Sequence, residues 1–146
     1  MERRFFNPTQ PQTLQVAVFL LYANAVFALL FRTGDEGVFS RAAFSLSRGG
    51  LDVDLATLIG NLLSIFVVGG SFAAAYLIAN EKKLGWRLGV AVAAAPLIAL
   101  VVLLLVGYPQ RLRIVDAINI NLLFDGALLA LLLHDQTRSY EKVWFK

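Results

Sequence analysis

Between Arg4 and Arg32, between Asp54 and Glu81, and between Arg87 and Arg111, the chain carries no acidic or basic side chain other than tyrosine. A fourth run, from Ile114 to Leu133, is interrupted only by Asp116 and Asp125. Each run is long enough to cross a hydrocarbon core of about 30 Å as a helix of roughly 20 residues. A helix satisfies its own backbone polar groups, so it is one of the few structures that lipid accepts. Only 16% of residues are charged, against roughly 25% in soluble domains.

The expectation is an all-α polytopic integral membrane protein. One domain covers 1–146, with four transmembrane helices in a small bundle at about 13–31, 57–79, 88–107 and 114–133, plus short interfacial helices. An outer connection occupies 32–56 and a cytoplasmic tail 134–146. In the first run, Ala23-Asn24-Ala25 has the small-x-small form of a signal-peptide cleavage site. The apolar stretch continues to Phe31, however, and exceeds the usual signal core of about 7–15 residues, so the segment reads as a retained span.

In the connection, Phe39, Ala42, Ala43 and Leu46 recur at helical spacing, with Arg41, Ser45 and Arg48 elsewhere on the wheel. That pattern predicts a short helix lying in the headgroup region. The second span carries small residues four apart: Gly60/Ser64, Gly69/Ala73, Gly70/Ala74 and Ser71/Ala75. Lipid tails are as apolar as leucine, so helices associate through the close backbone approach that small side chains permit. This spacing predicts that the second helix occupies the centre of the bundle. Gly85 and Gly89 carry the pattern onward after a tight turn at residues 80–84, Trp86 suits an interfacial anchor, and Pro96 predicts a bend in the third span.

Lysine and arginine collect on one side as Arg3, Arg4, Lys82, Lys83, Arg87, Arg138, Lys142 and Lys146. Arg32, Arg41, Arg48, Arg111 and Arg113 fall on the other. The positive-inside rule then predicts a multi-pass protein of the cell membrane with both termini cytoplasmic.

Polar residues within the spans are the functional lead. Asp125 falls near the middle of the fourth span, where an ionised carboxylate costs roughly 2.5–3.5 kcal/mol on insertion scales. It should be protonated, cation-bound or saturated with hydrogen-bond donors. Depth matching places Asn24, Ser71 and Asn121 with Asp125 near the midplane, and Asn61 with Asn119 in an outer polar layer. Asp116 lies nearer the outer boundary beside Arg111 and Arg113. Such layers serve either as interhelical glue, at about 0.6–2 kcal/mol per hydrogen bond, or as a proton or cation site.

With no cysteine, the chain forms no disulfide, thiolate metal site or Fe–S cluster. One histidine, His134, and one methionine, the initiator, offer no haem-ligating pair. His134 is read as a residue at the end of the last span, favoured there by the helix dipole. No zinc-protease, nucleophile-elbow or phosphate-loop motif occurs, and the basic residues are too scattered for nucleic acid. Neither enzymatic activity nor a cofactor or metal is expected. In the tail, Tyr140, Val143 and Trp144 recur as one face of a short amphipathic helix, read as lying on the cytoplasmic leaflet. The chain resembles small multidrug-resistance transporters and fluoride channels in size alone. It lacks a glutamate in the first span and a phenylalanine-rich filter motif, and no residue roles carry over. The expected role is an accessory or assembly subunit contacting lipid and a membrane-protein partner. The alternative is a homo-oligomeric transporter or channel built around Asp125.

Overall fold

The computed structural model describes residues 4–31, 39, 42, 47, 50, 52–106 and 120–145, with backbone alone for a few helix residues, Asn121 among them. Within these residues the chain is all-α, with five helices and no strand. They are α1 (Gln12–Phe31), α2 (Val53–Ala79), α3 (Lys83–Val106), α4 (Ile120–Leu133) and α5 (Asp135–Trp144). Two of them, α2 and α3, are long and apolar enough to cross a membrane, while α1 and α4 carry shorter apolar stretches, Gln12–Phe27 and Leu122–Leu133.

Two helices begin before the charge-free runs do. The Asp52 carboxylate accepts hydrogen bonds from the backbone N–H groups of Asp54 at 2.9 Å and Leu55 at 3.2 Å. That N-cap sets the start of α2 at Val53 rather than Thr57, because capping satisfies orphan N–H groups wherever a suitable side chain stands. α3 starts at Lys83 rather than Leu88, so Gly85 belongs to its first turns and not to the connection. At 27 residues α2 is about 40 Å long.

The Gln10 side chain at the foot of α1 donates to the Ile78 carbonyl at the far end of α2, at 2.7 Å. Trp86 Nε1 near the start of α3 donates to the Leu132 carbonyl at the end of α4, at 2.9 Å. Successive helices are therefore antiparallel. The extensive interfaces are α1–α2, α2–α3, α3–α4 and α4–α1, which closes a four-cornered ring. This corrects the expected position of α2: it is one corner of the ring and not its centre. Its small residues line two seams, and small residues mark close approach wherever it occurs.

Two clusters fill the interior. The first joins Leu14, Val18 and Leu21 of α1, Ala74, Ala75 and Ile78 of α2, Ala93 of α3, and Leu128 and Leu132 of α4. The second joins Phe39 and Ala42 to Val67, Val92 and Ala99. Phe39 is 2% exposed and Ala42 6%, so these two residues pack on the α2–α3 seam instead of lying among headgroups. A phenylalanine ring removes more apolar surface there than at an interface. The rest of that expected headgroup helix lies outside the described residues.

The packing glycines divide sharply. A Cβ on Gly70 would meet Val92 Cγ2 at 2.7 Å, and one on Gly89 would meet Leu132 Cδ1 at 3.3 Å. Gly60, Ser64 and Ala74 are buried, and the Ser64 hydroxyl donates back to the Gly60 carbonyl at 2.9 Å. Gly69 and Ala73 are exposed, and nothing lies within 4 Å of a Cβ at Gly69. That pair is removed from the packing set, since it sits on the outward side of α2.

Candidate functional site

Asn24, Ser71 and Asp125 each stand one turn from a member of the first cluster: Leu21, Ala74 and Leu128 respectively. All three are therefore interior positions on α1, α2 and α4. They are 6%, 0% and 0% exposed. Asn24 Nδ2 donates to Ser71 Oγ at 3.3 Å, a buried bond between α1 and α2. Asp125, on α4, is fully buried and is itself engaged in interactions. The Asn121 side chain, Asn119 and Asp116 lie outside the described residues. Asn61 does not point inward: it is exposed on α2. The expected outer layer therefore has no interior member at that position.

A second polar cluster, not foreseen from the sequence, caps the end of the bundle where α1 begins and α2 ends. Here α2 terminates in a Schellman-type turn, with Glu81 N–H to the Ile78 carbonyl and Lys82 N–H to the Leu77 carbonyl, both 2.9 Å. That turn needs a left-handed residue after the cap, normally glycine. Glu81 occupies the position with φ of 58°, at a cost of roughly 1–2 kcal/mol. Its side chain offsets that strain. Glu81 Oε1 accepts from Asn7 Nδ2 at 3.1 Å and from the Tyr140 hydroxyl at 3.0 Å. One carboxylate thus joins the segment before α1, the α2–α3 turn and α5.

Neighbouring bonds reinforce the junction. Asn7 Oδ1 accepts from the Thr9 backbone and hydroxyl at 3.1 and 2.7 Å, an Asx turn that shapes the segment before α1. Asn80 exchanges bonds with the Arg4 backbone, N–H to Oδ1 at 3.0 Å and Nδ2 to carbonyl at 2.7 Å. Glu141 is 6% exposed, and its Oε1 lies 3.6 Å from Lys83 Nζ, within ion-pair reach. The Thr137 hydroxyl donates to the Leu131 carbonyl at 2.8 Å and pairs with Thr13 at 3.2 Å. Burial raises the Tyr140 pKa above its ordinary value of 10.0, with the Glu81 hydrogen bond and charge acting in the same direction and a Thr9 hydrogen bond against them. The phenol stays neutral and donates.

His134 differs from its expected role. Its Nδ1 accepts from the Gln136 N–H at 3.3 Å, which makes it the N-cap of α5. The residue therefore starts the next helix as well as closing the previous one, whose Leu131 carbonyl accepts from the His134 N–H at 3.4 Å. Trp86, read as a headgroup anchor, fastens α3 to α4 through its indole N–H.

Asn80 and Asn7 were the available sequence signals for the capped end, because asparagine is a helix-terminus and turn residue. Nothing in the spacing linked either to Glu81 or Tyr140. Comparison with protein-family models, curated proteins and solved structures finds no match to this chain.

Proposed function

We propose that this chain is a four-span, non-enzymatic membrane protein that acts as an accessory or assembly subunit, presenting its helical surface to lipid and to a membrane partner. The observation that carries this reading is the outward face. Phe19, Leu30, Ile65, Ile98, Leu105 and Leu123 are 66%, 64%, 67%, 61%, 80% and 64% exposed. Only 39% of the apolar window of α2 and 33% of that of α3 is buried. A core helix of a water-soluble protein would be mostly buried, whereas apolar side chains facing outward suit lipid. α1, at 20 residues, is about 30 Å long, which supports counting it as a span. Arg4, Lys82, Lys83, Arg87, Arg138 and Lys142 gather at the capped end, and their sign supports placing that end in the cytoplasm.

Inside, Asn24 and Ser71 bond to each other across the α1–α2 seam, which favours glue over an open pathway. The second reading, a small homo-oligomeric transporter or channel, rests on Asp125, fully buried on α4. An intramembrane carboxyl is a functional lead by default. Crosslinked affinity purification from native membranes tests the first reading: recurrent recovery of one partner supports it, and recovery of none removes it. Flux of protons or cations into proteoliposomes, absent in Asp125→Asn, would establish the second.

A further inference from the structure

The chain before α1 does not run away from the bundle. It folds back over the outer side of the α1–α2 seam, where side chains fasten its backbone. The Tyr22 hydroxyl donates to the Phe5 carbonyl at 3.2 Å, and Asn80 bonds both the N–H and the carbonyl of Arg4. We propose that this strap is an interfacial anchor, seating Phe5 and Phe6 at the boundary between headgroups and hydrocarbon in the leaflet at the capped end. The inference rests on the membrane reading above and deepens it by naming a lipid contact outside the spans.

The first support is that the strap is tied down while its rings face outward. Phe5 and Phe6 are 69% and 46% exposed. A segment lying in water can leave its backbone groups to water. Here helix side chains take them up, which is what non-helical backbone needs close to hydrocarbon.

The second support is the order of side chains along the seam. At its end stand Arg4, which is exposed, and Asn80. Aromatic rings come next: Phe5 packs on Tyr76 with centroids 5.6 Å apart, and Tyr22 meets Phe72 edge-on at 5.3 Å. Val26, four residues after Tyr22, and Ile65, seven before Phe72, continue the same faces towards the middle of each helix. Both are exposed. Polar, aromatic and aliphatic side chains thus follow one another from the end of the seam to its middle. A bilayer imposes that order on a surface that faces it, with amphipathic rings at the headgroup level. A face shaped for one partner helix has no need of it, so lipid is the occupant that fits.

The chain has no cysteine, so single nitroxide labels report depth cleanly. The full chain is placed in phosphatidylcholine vesicles with a label on Phe6→Cys. Relaxation by oxygen, which concentrates in hydrocarbon, is compared with relaxation by a water-soluble nickel chelate. Lys82→Cys, exposed in the α2–α3 turn, and Ile65→Cys supply the water and hydrocarbon references. The label at position 6 should read between the two, shielded from nickel relative to position 82 and shallower than position 65. Phe5→Ser with Tyr22→Phe should shift it to the value at position 82, while the label at position 65 holds its depth. Nickel access equal to that at position 82 would put the strap in water, and shielding from both reagents would mean that protein covers it. Either result overturns the proposal, as does a label at position 6 unmoved by the double variant. A label at position 65 as open to nickel as position 82 would instead overturn the membrane reading beneath it, so the two failures are distinguishable.

Discussion

The tightest approach at the glycines compared among the described residues is the contact between Gly85 of α3 and the last turn of α2. A methyl group on Gly85 would lie 2.5 Å from Leu77 Cβ, 2.6 Å from Ile78 N and 2.8 Å from Leu77 C. Two of these three atoms are backbone, and the third is fixed directly to it. The three-residue turn closed by Glu81 and Lys82 N–H bonds leaves little slack. Ordinary carbon contacts are about 3.5–4.0 Å, so Gly85→Ala must part the two helices by about 1 Å. Overpacking costs about 1–3 kcal/mol, and a backbone clash belongs in the upper half of that range. Alanine returns about 0.5–1 kcal/mol of helix propensity, leaving a net loss of about 1–2.5 kcal/mol. Gly69→Ala is the control, because nothing lies within 4 Å of its Cβ. It should be neutral or stabilising by at most about 1 kcal/mol. Unfolding by sodium dodecyl sulfate in mixed micelles, followed by tryptophan fluorescence, measures both, since Trp86 adjoins Gly85. Equal stability of Gly85→Ala and the parent, or equal losses for the two variants, would refute the reasoning.

Three further outcomes follow from the polar contacts. Glu81→Gly removes the left-handed strain but also the acceptor for Asn7 and Tyr140. Amide exchange should then accelerate in α5 and in residues 4–10 while the α2–α3 turn stays protected, and uniform exchange would contradict the assigned division of labour. The raised Tyr140 pKa means that the neutral phenol is favoured in the folded state. Its contribution is fully present below pH 10.0, the ordinary value, and is lost as pH rises through the raised one. Alkaline release of α5, read by Trp144 fluorescence, should therefore lose a component in Tyr140→Phe; an identical profile would exclude Tyr140 as the titrating group. Ser71→Ala leaves Asn24 without its hydroxyl partner and should cost about 0.6–2 kcal/mol in the same unfolding assay; no measurable loss would show that this bond does not hold the α1–α2 seam.

Charge-free runs marked where helices form because a long apolar run without breakers favours a helix whatever its tertiary setting. Their ends were less legible, since local capping moved the α2 boundary to Asp52 and put Lys83 inside α3. Small-residue spacing identified close approach at Gly70, Gly85 and Gly89. It could not tell Gly70 from Gly69, because adjacent positions on one helix face in directions about 100° apart and only the neighbours decide which is used. Depth matching paired Asn24 with Ser71 through simple antiparallel arithmetic. The same arithmetic gave Asn61 the right level without its direction. Glu81 was invisible as a junction, because its role arises from a left-handed turn and partners 74 and 59 residues away.

The four seams of the ring are fastened in different ways, and that difference predicts how the bundle opens. The α1–α2 seam has Asn24 bonded to Ser71 and Gln10 bonded to Ile78. The α2–α3 seam has the close approaches at Gly70 and Gly85, and α3–α4 has Trp86 on Leu132 with Gly89 against the same leucine. The α4–α1 seam has no equivalent glycine contact among the described residues, for Gly126 has nothing within 4 Å of its Cβ. Leucine packing through Leu21 and Leu128, together with the stacked rings of Phe27 and Phe124 at 6.2 Å between centroids, carries it. On the proposed membrane reading such packing has no hydrophobic drive behind it. At its end this seam is bridged by α5, where Thr137 meets Thr13 and Phe145 joins the cluster containing Leu14. Truncation after His134 should therefore raise amide exchange in the first turns of α1, the last turns of α4 and the α2–α3 turn that Tyr140 and Glu141 contact, leaving the rest of the α2–α3 hairpin unchanged. Unchanged exchange at the ends of α1 and α4 would show that α5 is a passive appendage rather than a clasp on that seam.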